Sequence, residues 1–261
     1  METKEADPAG LLRQIPAIRR ARDFRLYTDR GRRLVDLWQL GGAAVLGHTP
    51  AGVLREFKNT AERGLFAPLP HPLEGRFIKA LARLFPGGDF RVYADKFSLH
   101  RALDLAGNDA GEVSLWRPFL GEPAFAFSPD APVLHPVLPL PWPGAPHVLV
   151  LEKSRGRFFP PPAPVSPVIL AVAARGIYDL LTAPERGSPR FPKIEKALAQ
   201  GRWRRRGIYL TLPEPPDAAC YADLFRDFLD RGFLLPPDTG QPLILPGLLS
   251  PGEEAALAEL L

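Results

Sequence analysis

The hydrophobic and polar positions of this chain switch repeatedly between a two-residue and a helical period, and the switches mark the elements. Leu26 and the run Leu34-Val35-Asp36-Leu37-Trp38 read as two strands. Tyr27-Thr28-Asp29-Arg30-Gly31 is the turn between them, with Gly31 where positive φ costs little. A Gly-rich bend follows. Leu46-Gly47-His48-Thr49-Pro50 then starts a helix, with Thr49 as cap and Pro50 in the first turn, where its missing N–H is harmless. Val53, Leu54, Phe57 and Ala61 share a face of a helix over 51–64. Leu73, Phe77, Leu81 and Leu84 define a stronger helix over 73–85, stopped by Pro86-Gly87-Gly88. A short strand over 90–93 and a short helix over 98–106 come next.

The middle is different. Fourteen prolines fall between Pro118 and Pro167, and proline is excluded from helix interiors and central ladders. Extended loops with short strands at 113–116, 133–135 and 147–151 are expected, wrapping the surface rather than serving as a PxxP ligand, because Phe, Leu and Trp are interleaved and seek burial. Ser166-Pro167 then caps and opens a helix to about 181. A helix over 191–200 precedes a βαββα ending. That ending comprises a strand over 207–212, a helix over 217–231 closed by Gly232, strands over 233–235 and 243–245, and a last helix. Ser250 and Glu253 form a capping box for that helix. Residues 1–24 read as a short helical or irregular lead-in.

Composition narrows the class. The chain has 261 residues with 46% hydrophobic content, enough for a sizeable core. The net charge of +4 permits acidic partners without demanding them. Cys220 is the one cysteine, which excludes an internal disulfide, and its helical setting predicts a buried, inert thiol. The longest apolar run, Val168 to Ala174, is far below the ~20 residues that span a bilayer. No signal-peptide pattern opens the chain. A cytoplasmic protein without membrane contact is therefore expected. The five histidines show no metal-ligand spacing, so no metal site is expected. Arg202-Trp203-Arg204-Arg205-Arg206 is a basic cluster with an aromatic, of the kind that contacts nucleic acid. A solvated loop, a dimer contact or an acidic-ligand contact accounts for it better, and nucleic acid is not an expected partner.

The order Asp29, Gly31, Asp36, Gly42, Leu46-Gly47-His48, Pro50 resembles the opening of the class III aminotransferases, the ornithine and acetylornithine type. The ending resembles the same family through Arg206-Gly207, Arg231-Gly232, Leu234-Leu235-Pro236, Leu245-Pro246 and Ser250 onward. The helix 166–181 resembles the one that follows the family's catalytic lysine. What the resemblance implies is an α/β fold of the pyridoxal-phosphate transferase type (fold type I). It would have an α+β small domain made from both termini and a shrunken large domain. Residues 1–70 and 206–261 would form the small domain. Residues 71–205, including the Pro-rich region 118–167, would form the large one.

The resemblance also says where the chemistry would sit. Ala102-Leu103-Asp104-Leu105-Ala106-Gly107 matches the helix that follows the family's phosphate cradle, which places the cradle at Ala94, Asp95 and Lys96. There a carboxylate replaces the glycine that lets backbone approach the phosphate. Unit charges 4 Å apart repel by about 4 kcal/mol at an effective dielectric near 20. The family's Asp-Glu pair for the pyridine nitrogen is missing between Gly107 and Pro146, where Glu112, Glu122 and Asp130 close no apolar strand. Lys153, ending the apolar run His147 to Leu151, is the candidate Schiff-base lysine.

Three functional readings follow. The first is a degenerate class III aminotransferase-like protein that binds or regulates, as a homodimer or as the partner of an active relative, with an amino-acid or keto-acid ligand. The second is an active pyridoxal-phosphate aminotransferase using Lys153. The third is a basic nucleic-acid-binding module.

Overall fold

The computed structural model describes residues 7–120, 132–142, 144–183 and 190–261. In chain order the first elements are α1 (Pro8–Leu12), β1 (Ile18–Arg22), β2 (Arg25–Thr28), β3 (Arg33–Asp36), α2 (Ala51–Ala61), α3 (Leu73–Leu84), β4 (Asp89–Tyr93) and α4 (Lys96–Ala106). The middle contributes β5 (Val113–Trp116), β6 (Val133–Pro136), β7 (His147–Leu151) and α5 (Pro167–Thr182). The end contributes α6 (Pro192–Gln200), β8 (Arg204–Arg206), β9 (Tyr209–Thr211), α7 (Ala218–Asp230), β10 (Phe233–Leu234), β11 (Leu243–Ile244) and α8 (Pro251–Ala258). They fall into two compact units, one spanning Met1–His48, Phe119–Gly121 and Glu185–Leu261, the other Thr49–Pro118 and Glu122–Pro184.

The first unit gathers both ends of the chain around one core. Its larger sheet has the order β1-β2-β3-β10, antiparallel except that β10 runs parallel to β3. A smaller sheet has the order β11-β9-β8. Leu34, Leu37, Phe225, Phe228, Leu235 and Leu257 are fully buried between sheets and helices. The capping box of α8 forms as the sequence predicts, with the Glu253 amide donating to Ser250 Oγ and the Ser250 amide donating to Glu253. Glu253 also accepts from Arg25 Nε (3.0 Å) and Nη2 (2.7 Å) and lies 3.1 Å from Arg33, so one carboxylate ties β2 and β3 to α8.

The second unit is a three-layer α/β/α arrangement. Its mixed sheet has the order β4-β7-β6-β5, with β7 antiparallel to both neighbours and β5 parallel to β6. One face (Val92, Val148, Val150, Leu134) packs against α2, α3 and α5. The other (Tyr93, Leu149, Leu151, Val133) packs against α4 and the 3₁₀ segment Lys153–Phe158. Helix α5 is buried on most sides because it lies under both helices and the Pro-rich strap, where Pro139 O would sit 2.6 Å from any Cβ at Gly176. Leu138 and Leu140 in that strap are buried, and Trp142 packs on Phe57 at 4.9 Å. Residues 138–142 of the Pro-rich region are thus part of the core.

Several local expectations change. Pro50, not Thr49, occupies the N-cap of α2, and no side chain caps it. Leu54 faces outward, 46% exposed. Helix α4 begins two residues early because Asp95 caps it. Ser166 precedes α5 without capping it and instead donates to Leu65 O. The lead-in contains a strand, β1, and Arg204–Arg206 form an edge strand rather than a loop. Cys220 is exposed in the first turn of α7, against Asp217. Glu122 and Asp130 lie outside the described residues.

Candidate functional site

In the second unit, polar groups gather where β4 ends, β7 begins and α4 starts. The register pairs Tyr93 with His147 and Leu134 with Val150, so His135 and His147 come together from adjacent strands. His135 Nε2 lies 3.3 Å from His147 Nδ1, with ring centroids 5.5 Å apart. Burial, reinforced by the positive fields of His147, His100 and Lys96, pushes His135 down to about 4. Burial also lowers His147, while Asp95 partly opposes this. Both imidazoles are therefore neutral at pH 7, and one donates to the other. Tyr93 adds a hydroxyl with no partner among the described residues, and burial raises its pKa. Nothing in the sequence hints at this pair, because eleven intervening residues hide a contact that only the β6–β7 register creates.

At the same edge, Asp95 Oδ1 accepts from the Ser98 amide at 2.7 Å. Hydrogen bonds from Ser98 hold the Asp95 carboxyl below its usual range, so it is ionised at neutral pH. The N-terminus of α4 has its positive end satisfied by the protein's own anion.

Lys153 is elsewhere. Strand β7 is antiparallel to β4, so Leu151 pairs with Asp89 while His147 pairs with Tyr93. Four residues of strand, roughly 14 Å at the usual rise, separate the two ends. Lys153 is exposed beyond the Leu151 end, in the 3₁₀ segment, and Ala94, Asp95 and Lys96 lie beyond the Tyr93 end. The structure does not bring these candidates together.

Pyridoxal phosphate requires a lysine beside the ring, a carboxylate at the pyridine nitrogen and free donors for its phosphate. The residues at this edge do not meet that set. The α4 amide that would face a phosphate already binds Asp95. Strand β5 runs into Arg117 and β6 into Val137, so neither ends in an acid. A neutral imidazole pair occupies the sheet end.

The motif residues near the N-terminus form a second polar cluster, inside the first unit. Asp36 Oδ1 accepts from the Trp38 and Gln39 amides, and Oδ2 lies 2.8 Å from His48 Nε2. Its carboxylate is 2% exposed. The bend it holds is unusual, since Gln39 and Leu40 both have positive φ, 46° and 51°, a region costly for residues with a Cβ. Gly47 (φ 92°) approaches the Asp23 backbone so closely that a Cβ would sit 3.2 Å from Asp23 Cα. The motif Asp36…Gly47-His48 thus clasps a strained bend onto the β1–β2 turn.

No family model matches the chain. An uncharacterized protein of Treponema pallidum is 30% identical over 94% of this chain and 93% of its own length. One of Borreliella burgdorferi is 28% identical over 93% and 89%. Among solved structures, the ornithine δ-aminotransferase of Plasmodium falciparum superposes with a TM-score of 0.70 at 10% identity, covering 94% of this chain and 91% of that one. The acetylornithine aminotransferase of Elizabethkingia anophelis gives 0.65 at 12% identity over 94% and 92%. A glutamate-1-semialdehyde aminomutase of Pseudomonas aeruginosa, in complex with PMP, gives 0.66 at 13% identity over 97% and 89%. The fold is that of the class III pyridoxal-phosphate aminotransferases, mixed α/β throughout. Among the described residues, no helix is long and apolar enough to cross a membrane.

Proposed function

The chain belongs to one family with the Treponema pallidum protein, and from that premise we propose that it is an aminotransferase-fold protein whose cofactor chemistry is lost and which acts by binding. The observation that carries this reading is the Asp95 carboxylate seated on the Ser98 amide at the start of α4. A cofactor phosphate there would meet an ionised carboxylate and a helix end already capped. The separation of Lys153 from that edge supports the same reading. A shortened large domain is consistent with the four strands that its sheet has among the described residues.

In this reading the protein works in the cytoplasm as a homodimer or as the partner of a related aminotransferase, with an amino acid or keto acid as its small ligand. Phe66 and Leu69, 58% and 64% exposed in the second unit, supply apolar surface for such an assembly. Sedimentation of the purified chain reads the assembly directly.

Titration with pyridoxal phosphate, followed by borohydride reduction and peptide mass mapping, tests the loss of chemistry. The expected result is no visible aldimine band, with only scattered, sub-stoichiometric labelling of surface lysines. A stoichiometric adduct on Lys153, abolished in Lys153→Ala, would restore the active-enzyme reading.

A further inference from the structure

The first sheet carries a row of arginines that the cofactor question does not touch. Between Ile18 and Arg33 the sequence has seven arginines against two aspartates and no glutamate. The strand register sorts them. Arg20 pairs with Tyr27 and Tyr27 with Arg33, forming one row across three strands. Arg22 pairs with Arg25 in the next row on the same face. Four guanidinium groups and one phenol ring thus share one sheet face, with successive rows about 7 Å apart along the strand.

Their charge is poorly balanced. Glu253 is shared by Arg25 and Arg33. Arg22 has only a 3.7 Å contact with the solvent-exposed Asp23. Arg20 lies over the Tyr27 ring at 5.4 Å from its centroid and makes no ion pair among the described residues. Arg20, Arg22 and Arg33 are exposed, and Tyr27 is partly so. Charge on β1 also protects an edge strand from pairing. Edge protection does not explain Arg33, which lies in an interior strand, or an aromatic set between two arginines.

We propose that this face binds single-stranded nucleic acid, with Arg20, Arg22 and Arg33 meeting phosphates and the Arg20–Tyr27 pair providing a stacking surface for a base. Sheet faces that bind single strands combine a cationic track with an aromatic platform in this way. A duplex presents no free base faces to such a platform. The inference is independent of the cofactor reading above, because its residues lie in the other unit and its readout involves no pyridoxal phosphate.

The test is fluorescence anisotropy of labelled mixed-sequence 20-mers with the full-length protein, in single-stranded RNA, single-stranded DNA and duplex DNA arms, across a salt series. Three phosphate contacts predict a log–log salt slope of about −2. Arg20→Ala with Arg22→Ala should weaken binding at least ~10-fold and bring the slope to about −0.7, in proportion to the one contact left. Both side chains are exposed, and circular dichroism confirms folding of the variant. Arg204→Ala with Arg206→Ala, on the other sheet, should leave binding unchanged. Either single-stranded arm binding as described supports the proposal, and the tighter one names the source. Three outcomes overturn it: tighter binding of the duplex, no effect of the Arg20/Arg22 variant, or displacement of the oligonucleotide by poly-glutamate at equal charge. The last would make the partner an acidic polypeptide.

Discussion

Replacing Glu253 by Gln removes the charge that joins α8 to β2 and β3 while keeping an oxygen for the capping box. Burial alone would raise the Glu253 carboxyl. Hydrogen bonds from Arg25 and from the Ser250 amide overcome it and hold the group at about 2, against 4.5 for a free glutamate. That gap corresponds to about 3 kcal/mol at 1.36 kcal/mol per pH unit. The Arg33 partner is 52% exposed, and solvent screening reduces the expected contribution to about 2 kcal/mol. Because the folded carboxyl lies below its unfolded value, the stabilisation is complete above about pH 4.5. It fades below that and is gone once pH passes about 2. At pH 7 the Glu253→Gln variant should melt about 4–8 °C lower. Hydrogen exchange should report faster opening of β2 and α8 specifically, since a two-unit chain need not unfold in one step. Glu253→Ala should cost about 1 kcal/mol more, through loss of the cap. A Gln variant with wild-type exchange in α8, or one that keeps the acid-dependent loss between pH 4.5 and 2, would refute the ion-triad account.

Other outcomes follow from the same geometry. His135 is neutral when folded and protonates more readily when unfolded, so the second unit should lose up to about 3 kcal/mol as pH falls from 6.5 toward 4; His135→Gln should flatten that slope in pH-dependent denaturant melts. Gly47→Ala forces a Cβ to 3.2 Å from Asp23 at φ 92° and should cost about 1–3 kcal/mol by thermal unfolding. Asp36→Ala leaves two backbone amides and His48 without their acceptor and should cost about 2–4 kcal/mol, read by denaturant titration. Phe77, fully buried in the second unit, should cost about 3–5 kcal/mol as Phe77→Ala.

Much of the fold was readable because local signals and tertiary packing agree. The capping box at Ser250, the apolar stripe of α3 and the turn at Gly31 each declare themselves within a few residues. Strand β1 was not readable. Its residues Ile18-Arg19-Arg20-Ala21-Arg22 carry no apolar alternation, and pairing with β2 alone makes them a strand. The arginine face was hidden for the same reason. Asp95 was visible as a misfit in the cradle, but its role as a cap needed the true start of α4. The distance between Lys153 and that cap is a property of strand direction, which residue spacing does not encode. The exposure of Cys220 likewise depends on which face of α7 meets the core through Tyr221, Phe225 and Phe228.

Co-crystallisation with saturating pyridoxal phosphate asks whether the protein's own carboxylate keeps the α4 N-terminus against the cofactor. Asp95 should remain on the Ser98 amide, with no phosphate density within hydrogen-bonding distance of α4. A phosphate seated on that amide, with Asp95 swung away and a lysine linked to the ring, would contradict it.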